Sequence, residues 1–214
     1  MLTKYTYTVC KSVCSTMASA TIQAAKVSLR KEIHNKILAI PAEEKKRQSE
    51  NVFRKLLELP AFQTSKRISV YLSTEHELST EPIIKHIFEN GKSCFVPRYN
   101  KSIMEMVKLN SMKDWEELPV TKWNIKQPNL SEKRENAIDT GGLDLVIVPG
   151  MAFTINGVRM GHGKGYYDTF LSALQNTHPK RAVTVALAFT EQVLEEIPRH
   201  EHDVKIDIVL HSDS

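Results

Sequence analysis

The sequence predicts an α/β fold: a three-layer, Rossmann-like sandwich built on a mainly parallel central sheet. Three observations carry that prediction. Between residues 67 and 96 the apolar pattern runs strand, helix, strand, the rhythm of a layered α/β chain. Leu143-Asp144-Leu145-Val146-Ile147-Val148 is an almost unbroken apolar run, as a strand covered on both faces requires. Further on, Gly161-His162-Gly163-Lys164-Gly165 feeds directly into apolar residues at helical spacing, a loop-to-helix entry suited to a ligand site at a sheet edge.

Residues 1–31 carry Lys4, Lys11, Lys26, Arg30 and Lys31 but no acid before Glu32, and they are rich in Ser and Thr. There is no compact apolar core of the kind a secretory signal needs. Residues 1–23 therefore read as a leader, either a disordered extension or a mitochondrial targeting segment, ahead of a single domain over 24–214. The first helix begins near residues 20–24. Leu29, Ile33, Ile37 and Ile40 form its apolar stripe. At roughly 100° per residue, Lys26 and Arg30 project from that same face. Solvated lysines sit opposite a stripe; these two fit an anion site at the edge of the core.

Pro41 separates this helix from a second one carrying Val52, Phe53, Leu56 and Leu57, which stops at Pro60. Residues 67–73 alternate with period two as a first strand. Thr80 is expected to cap a helix with Ile83, Ile84, Ile87 and Phe88, closed by Gly91. Residues 94–96 form a second strand that Pro97 should break, and residues 104–109 a third. Residues 119–142 are polar and aperiodic apart from Trp123, a length of loop that is usually functional or disordered. After the central strand, Asn156-Gly157 signals a hairpin, and residues 183–189 and 206–210 supply the last strands. Glu75-His76-Glu77, Arg98-Tyr99 and the glycine loop each follow a strand and are expected to meet in one cleft.

Composition narrows the function classes. The chain has 214 residues with 41% hydrophobic residues, and its 29 basic against 25 acidic residues leave a net charge of +4. That excess suits a protein handling small polyanions better than a dedicated nucleic-acid binder. No apolar run is long enough to span a membrane. Cys10, Cys14 and Cys94 build neither a disulfide framework nor a zinc site, which fits a reducing, cytoplasmic setting.

The glycine loop carries the chemistry. Alternate glycines free the backbone N–H groups to converge on one anion. Lys164 adds a cation, and Asp168 lies one turn into the following helix, placed to hold a metal ion. Gly165 stands where a Walker A loop needs Ser or Thr, so this is a different phosphate cradle. A plain surface turn would need one glycine, not three.

An ordered series of segments is similar to the 5-formyltetrahydrofolate cyclo-ligase family. They are Lys26-Val27-Ser28-Leu29-Arg30, Lys66-Arg67-Ile68-Ser69-Val70-Tyr71-Leu72-Ser73, Phe95-Val96-Pro97-Arg98-Tyr99, Trp123-Asn124-Ile125, residues 140–145, residues 149–168 and Leu187-Ala188-Phe189. The resemblance implies ATP-dependent closure of 5-formyltetrahydrofolate to 5,10-methenyltetrahydrofolate with Mg2+. It implies that Lys26, Arg30 and the loop Gly161, His162, Gly163, Lys164, Gly165, Tyr166 and Tyr167 bind the nucleotide, with Lys164 and Arg30 catalytic. Asp168 and Asp203 would hold the metal. Leu72, Glu77, Trp123, His162, Lys164 and Tyr166 would hold the folate. The partners expected are these two small molecules, with no nucleic acid or membrane, and a monomeric chain.

Other readings stand beside these. Asp203 lies in Arg199-His200-Glu201-His202-Asp203, a polar loop whose spacing matches no standard zinc motif. Trp123 reads equally as an anchor for the long loop. His162 stands where the family commonly has arginine, and Lys126 where proline is usual. A non-catalytic folate- or nucleotide-binding protein keeping the fold is the competing function. Loss of Lys164, Asp168 or Arg30 would have favoured it, and all three are present.

Overall fold

The structure is a computed structural model that describes residues 2–100, 103–121, 125–199 and 203–213, with side chains from Ala20 onward. Its centre is a six-stranded sheet in the order β3-β2-β1-β4-β7-β8. These are β1 (Arg67–Ser69), β2 (Ser93–Tyr99), β3 (Met104–Leu109), β4 (Leu145–Val148), β7 (Val183–Leu187) and β8 (Ile208–Leu210). Within this sheet the edge pair β2–β3 is antiparallel, and the other four pairings are parallel. A separate hairpin joins β5 (Ala152–Phe153) to β6 (Arg159–Met160) around Asn156-Gly157. The expected mainly parallel sheet is the one observed.

Period-two alternation divides the core between the two faces. On one face Ile68, Val70, Leu145, Ile147 and Val185 pack with α1 (Leu2–Ala39), α2 (Ala42–Glu58) and α4 (Glu81–Glu89). On the other, Phe95, Val146, Val148 and Ala186 meet Phe170, Leu171 and Leu174 of α6 (Tyr166–Thr177). All four residues of β4 are buried because helices cover both sides. Each such aliphatic side chain contributes about 1.5–3 kcal/mol by leaving water. On α1 the buried stripe is Ile33 and Ile37, continued by Ile40 just past its end, and Lys26 on the same helix is buried at 5% exposure.

Three local expectations are corrected. α1 begins at Leu2 rather than near residues 20–24, so the helix runs through the segment read as a leader. The Thr80 hydroxyl accepts no hydrogen bond from α4; it donates to the Tyr71 carbonyl and accepts from the Ser73 N–H, so it ties the turn after β1 instead. Pro97 does not break β2, which runs through to Tyr99. The bond from Val70 N–H to the Phe95 carbonyl closes the β1 ladder, and Pro97 lies beyond it, where no partner strand misses its N–H. A further short helix, α5 (Met112–Glu117), stands where no element was expected, its N-terminus capped by the Ser111 hydroxyl, which accepts from the Asp114 N–H.

Candidate functional site

The glycine loop joins the β5–β6 hairpin to α6 and receives Arg30 from α1. Gly163 (φ +97) and Gly165 (φ +70) both take left-handed backbone, and Gly165 is the residue that starts α6. Arg30 Nε donates to the Gly161 carbonyl at 2.9 Å, and a Cβ on Gly163 would lie 3.4 Å from Arg30 Cζ. The guanidinium therefore underlies the loop. Lys164, between the two glycines, is exposed. Lys26, one turn before Arg30, points its Nζ at Asp203 Oδ2, 2.6 Å away.

Asp168 sits in the first turn of α6, its Oδ2 accepting from Arg159 Nη2 at 2.9 Å and its Oδ1 from the Val204 N–H at 3.3 Å. That second bond brings Asp203, the preceding residue, next to Asp168. Arg159 is a site residue that the motifs and their spacing do not announce. It is 6% exposed, bonds the Pro149 carbonyl through Nη1 and lies over the Tyr167 ring. A Cβ on Gly161 would come 2.7 Å from its Nη1, so the guanidinium would have to shift to admit one. The available signal was a charged residue inside a hairpin strand whose partner, Ala152-Phe153, is wholly apolar.

Beside the loop lies a cleft of about 450 Å³, lined among others by Arg30, His34, Thr74, Glu77, His162 and Gln192. Glu77 Oε2 accepts from the Thr74 N–H and hydroxyl, while Oε1 faces His162 Nε2 at 3.9 Å. Desolvation lowers the His162 pKa; Glu77 opposes that, and Arg159, Arg30 and His34 add to it. The ring is 60% exposed and turns its Nε2 toward this carboxylate. Tyr99 and Tyr166 stack obliquely with centroids 5.1 Å apart, so the end of β2 reaches the loop. Burial raises the pKa of both Tyr99 and Tyr167. Among the described residues three buried polar atoms have no hydrogen-bond partner: His76 Nδ1, Arg159 Nε and the Tyr167 hydroxyl.

The segments after β1, β2 and the hairpin thus meet as expected, with one exception. Arg98 turns away to Glu105 and to the Asn129 and Glu132 carbonyls, where it anchors the long connection. Leu72 is buried just beyond β1 at 7% exposure. Trp123 lies outside the described residues. Lys126 lies over the Trp115 ring at 3.8 Å and donates to the Trp115 carbonyl, away from the loop. Among the described residues no three His, Cys, Asp or Glu side chains gather around one point. Asp168 and Asp203 lie on neighbouring segments, and each carboxylate is bonded to a cation, Arg159 and Lys26 respectively.

A family model described as the 5-formyltetrahydrofolate cyclo-ligase family matches residues 22–212. The chain belongs to that family. It is 46% identical to the mouse 5-formyltetrahydrofolate cyclo-ligase over 200 residues, covering 92% of this chain and 98% of the mouse protein. A probable 5-formyltetrahydrofolate cyclo-ligase of Caenorhabditis elegans is 40% identical, with 89% and 94% covered. The solved 5,10-methenyltetrahydrofolate synthetase of Aquifex aeolicus superposes with a TM-score of 0.69 at 29% identity, covering 86% of this chain and 88% of that one. No helix among the described residues is long and apolar enough to cross a membrane.

Proposed function

We propose that the loop and cleft carry out the family's reaction, closing 5-formyltetrahydrofolate to 5,10-methenyltetrahydrofolate with hydrolysis of ATP to ADP and phosphate. The observation that supports this reading is convergence. Lys26 and Arg30 from α1, the loop 161–165, Asp168 from α6 and Asp203 from the segment before β8 come together, although 177 residues separate the outermost two.

The formamide oxygen of the substrate is a poor leaving group. It first attacks the γ-phosphorus of ATP, releasing ADP. N10 then bonds to the activated formyl carbon, the C–O bond breaks, phosphate leaves and the N10 proton is lost. Such a transfer asks the protein for position and charge neutralisation. Lys26, Arg30 and the loop N–H groups would hold the phosphates, and Lys164, on the exposed crest, would meet the moving phosphoryl. Asp168 and Asp203 would hold Mg2+, which would supply positive charge to neutralise the nucleotide phosphates. Glu77 can accept a paired contact from a pterin amide edge, with Leu72, Trp123, His162 and Tyr166 completing the folate side. The acting unit is read as a monomer over 24–214 in the cytoplasm, with 1–23 an extension or targeting leader.

Incubation with 5-formyltetrahydrofolate and MgATP, followed by methenyl absorbance, tests the reading. Product formation is the expected result. A well-folded protein that binds both ligands without product would instead be a non-catalytic binding protein.

A further inference from the structure

The turn after β1 carries a bonding pattern that opens helices, yet it opens none. Glu77 Oε2 accepts from the Thr74 N–H at 2.9 Å and from the Thr74 hydroxyl at 3.0 Å, while the Glu77 N–H donates to the Thr74 carbonyl at 3.2 Å. A carboxylate that reaches back three residues to a Thr N–H is half of a capping box, a device for starting a helix. Here no helix begins until α4 at Glu81. What the bonds fix is the carboxylate itself.

That orientation matters because of where the second oxygen points. A carboxylate oxygen has two lone pairs, and Thr74 occupies both of those on Oε2. Oε1 is the oxygen left for a ligand. It faces His162 Nε2 at 3.9 Å, and Thr74, Glu77 and His162 all line the cleft. The Glu77 side chain is 17% exposed, and its charge reaches inward: burial first, then Glu77, raises the pKa of Tyr71 and of Tyr99. The base of the turn is held as well, since Thr80 bonds both Tyr71 and Ser73. A glutamate side chain free to rotate would spread its carboxylate over several rotamers; Thr74 leaves it one.

We infer that Thr74 is a positioning residue for the folate: it locks Glu77 so that Oε1 meets the pterin amide edge, whose two neighbouring N–H donors close on that one oxygen. The inference rests on the folate side of the reading above and adds the residue that aims its acceptor. Thr74 acts through Glu77 and need not touch the ligand.

Calorimetric titration of 5-formyltetrahydrofolate and of ATP compares the wild type with Thr74→Val, which keeps the shape and the N–H but removes the hydroxyl. Folate affinity should fall about tenfold, the loss of one hydrogen bond to a charged group, with ATP affinity unchanged. Thr74→Ser should restore it. In a Glu77→Ala background, Thr74→Val should add no further loss, because the two residues act as one unit. Unchanged folate affinity in folded Thr74→Val, an equal loss for both ligands, or a further loss in Glu77→Ala overturns the inference. Should Thr74→Val not fold, Thr74→Ala removes the same hydroxyl and is read the same way. Wild-type turnover is followed in parallel. A folate-selective loss in a protein without turnover would sink the catalytic reading alone, and turnover with unchanged folate affinity in Thr74→Val would sink the positioning role alone.

Discussion

Two buried arginines of similar exposure show how differently the chain treats its loops. Arg134, in the long connection before β4, spends every nitrogen. It grips both Asp114 oxygens at 2.6 and 2.7 Å, Glu132 at 2.7 Å and the Lys108 carbonyl at 3.1 Å. That grip holds the Asp114 carboxyl below the usual carboxylate range. Arg159, under the glycine loop, leaves its buried Nε without a partner while its guanidinium lies over the Tyr167 ring. Side-chain exposures of 8% and 4% do not distinguish the two residues. Satisfaction does: a closed network fixes a loop, while unpartnered donors mark a place that a ligand completes.

Lys164→Ala separates the regions most sharply. The side chain is exposed, so the melting temperature should stay put while turnover falls about 100- to 1000-fold, the usual loss for one group that stabilises developing charge. A folded variant with near-normal methenyl formation would place the lysine at the periphery. Arg134→Ala should do the reverse. It strands Asp114 and costs about 3 kcal/mol in urea unfolding, with turnover per folded molecule unchanged. If activity fell in step with stability, the long connection would have to be counted as part of the site.

Arg30→Ala lies between these extremes. Loss of its contacts under the loop should weaken ATP binding by about 1.5–3 kcal/mol with little change in the melt, and calorimetry reads it directly. Unchanged affinity would make the bond to Gly161 a purely structural tie.

The smallest effect belongs to His162. Its pKa in the folded chain lies below the ordinary value of 6.5. The ring is therefore largely neutral at pH 7, and protonation adds a cation only at a pH below the ordinary histidine value. The unfolded chain takes up this proton first, so the residue also subtracts stability as pH falls through its unfolded pKa. Ligand affinity should rise modestly toward acid pH in the wild type. In His162→Arg it should be flat and higher at pH 8. Parallel curves would leave His162 outside anion binding.

How much of this was legible in the sequence follows from which forces are local. The β4 run and the α1 stripe were readable because burial on two faces, or on one, dictates a period. The same angular argument placed Lys26 and Arg30 on the inner side of α1. Pro97 misled because its missing N–H matters only where a partner strand waits for it. Thr80 misled because its hydroxyl found the Tyr71 carbonyl across a turn. Arg159 was invisible for a different reason. What makes it a site residue is Asp168 and the Tyr167 ring, and no periodicity records who will stand opposite a strand.

The Lys26–Asp203 contact also bears on how the protein comes into being. The two residues lie 177 apart in the chain, near opposite ends of the matched domain. A ribosome releases the amino end first, so α1 must wait through almost the whole of synthesis before its lysine meets a counter-charge. Nascent chains that stop short of Asp203 can assemble most of the sheet yet lack one wall of the phosphate cradle. The distant pairing thus makes catalytic competence the last property acquired, withheld until translation is nearly complete.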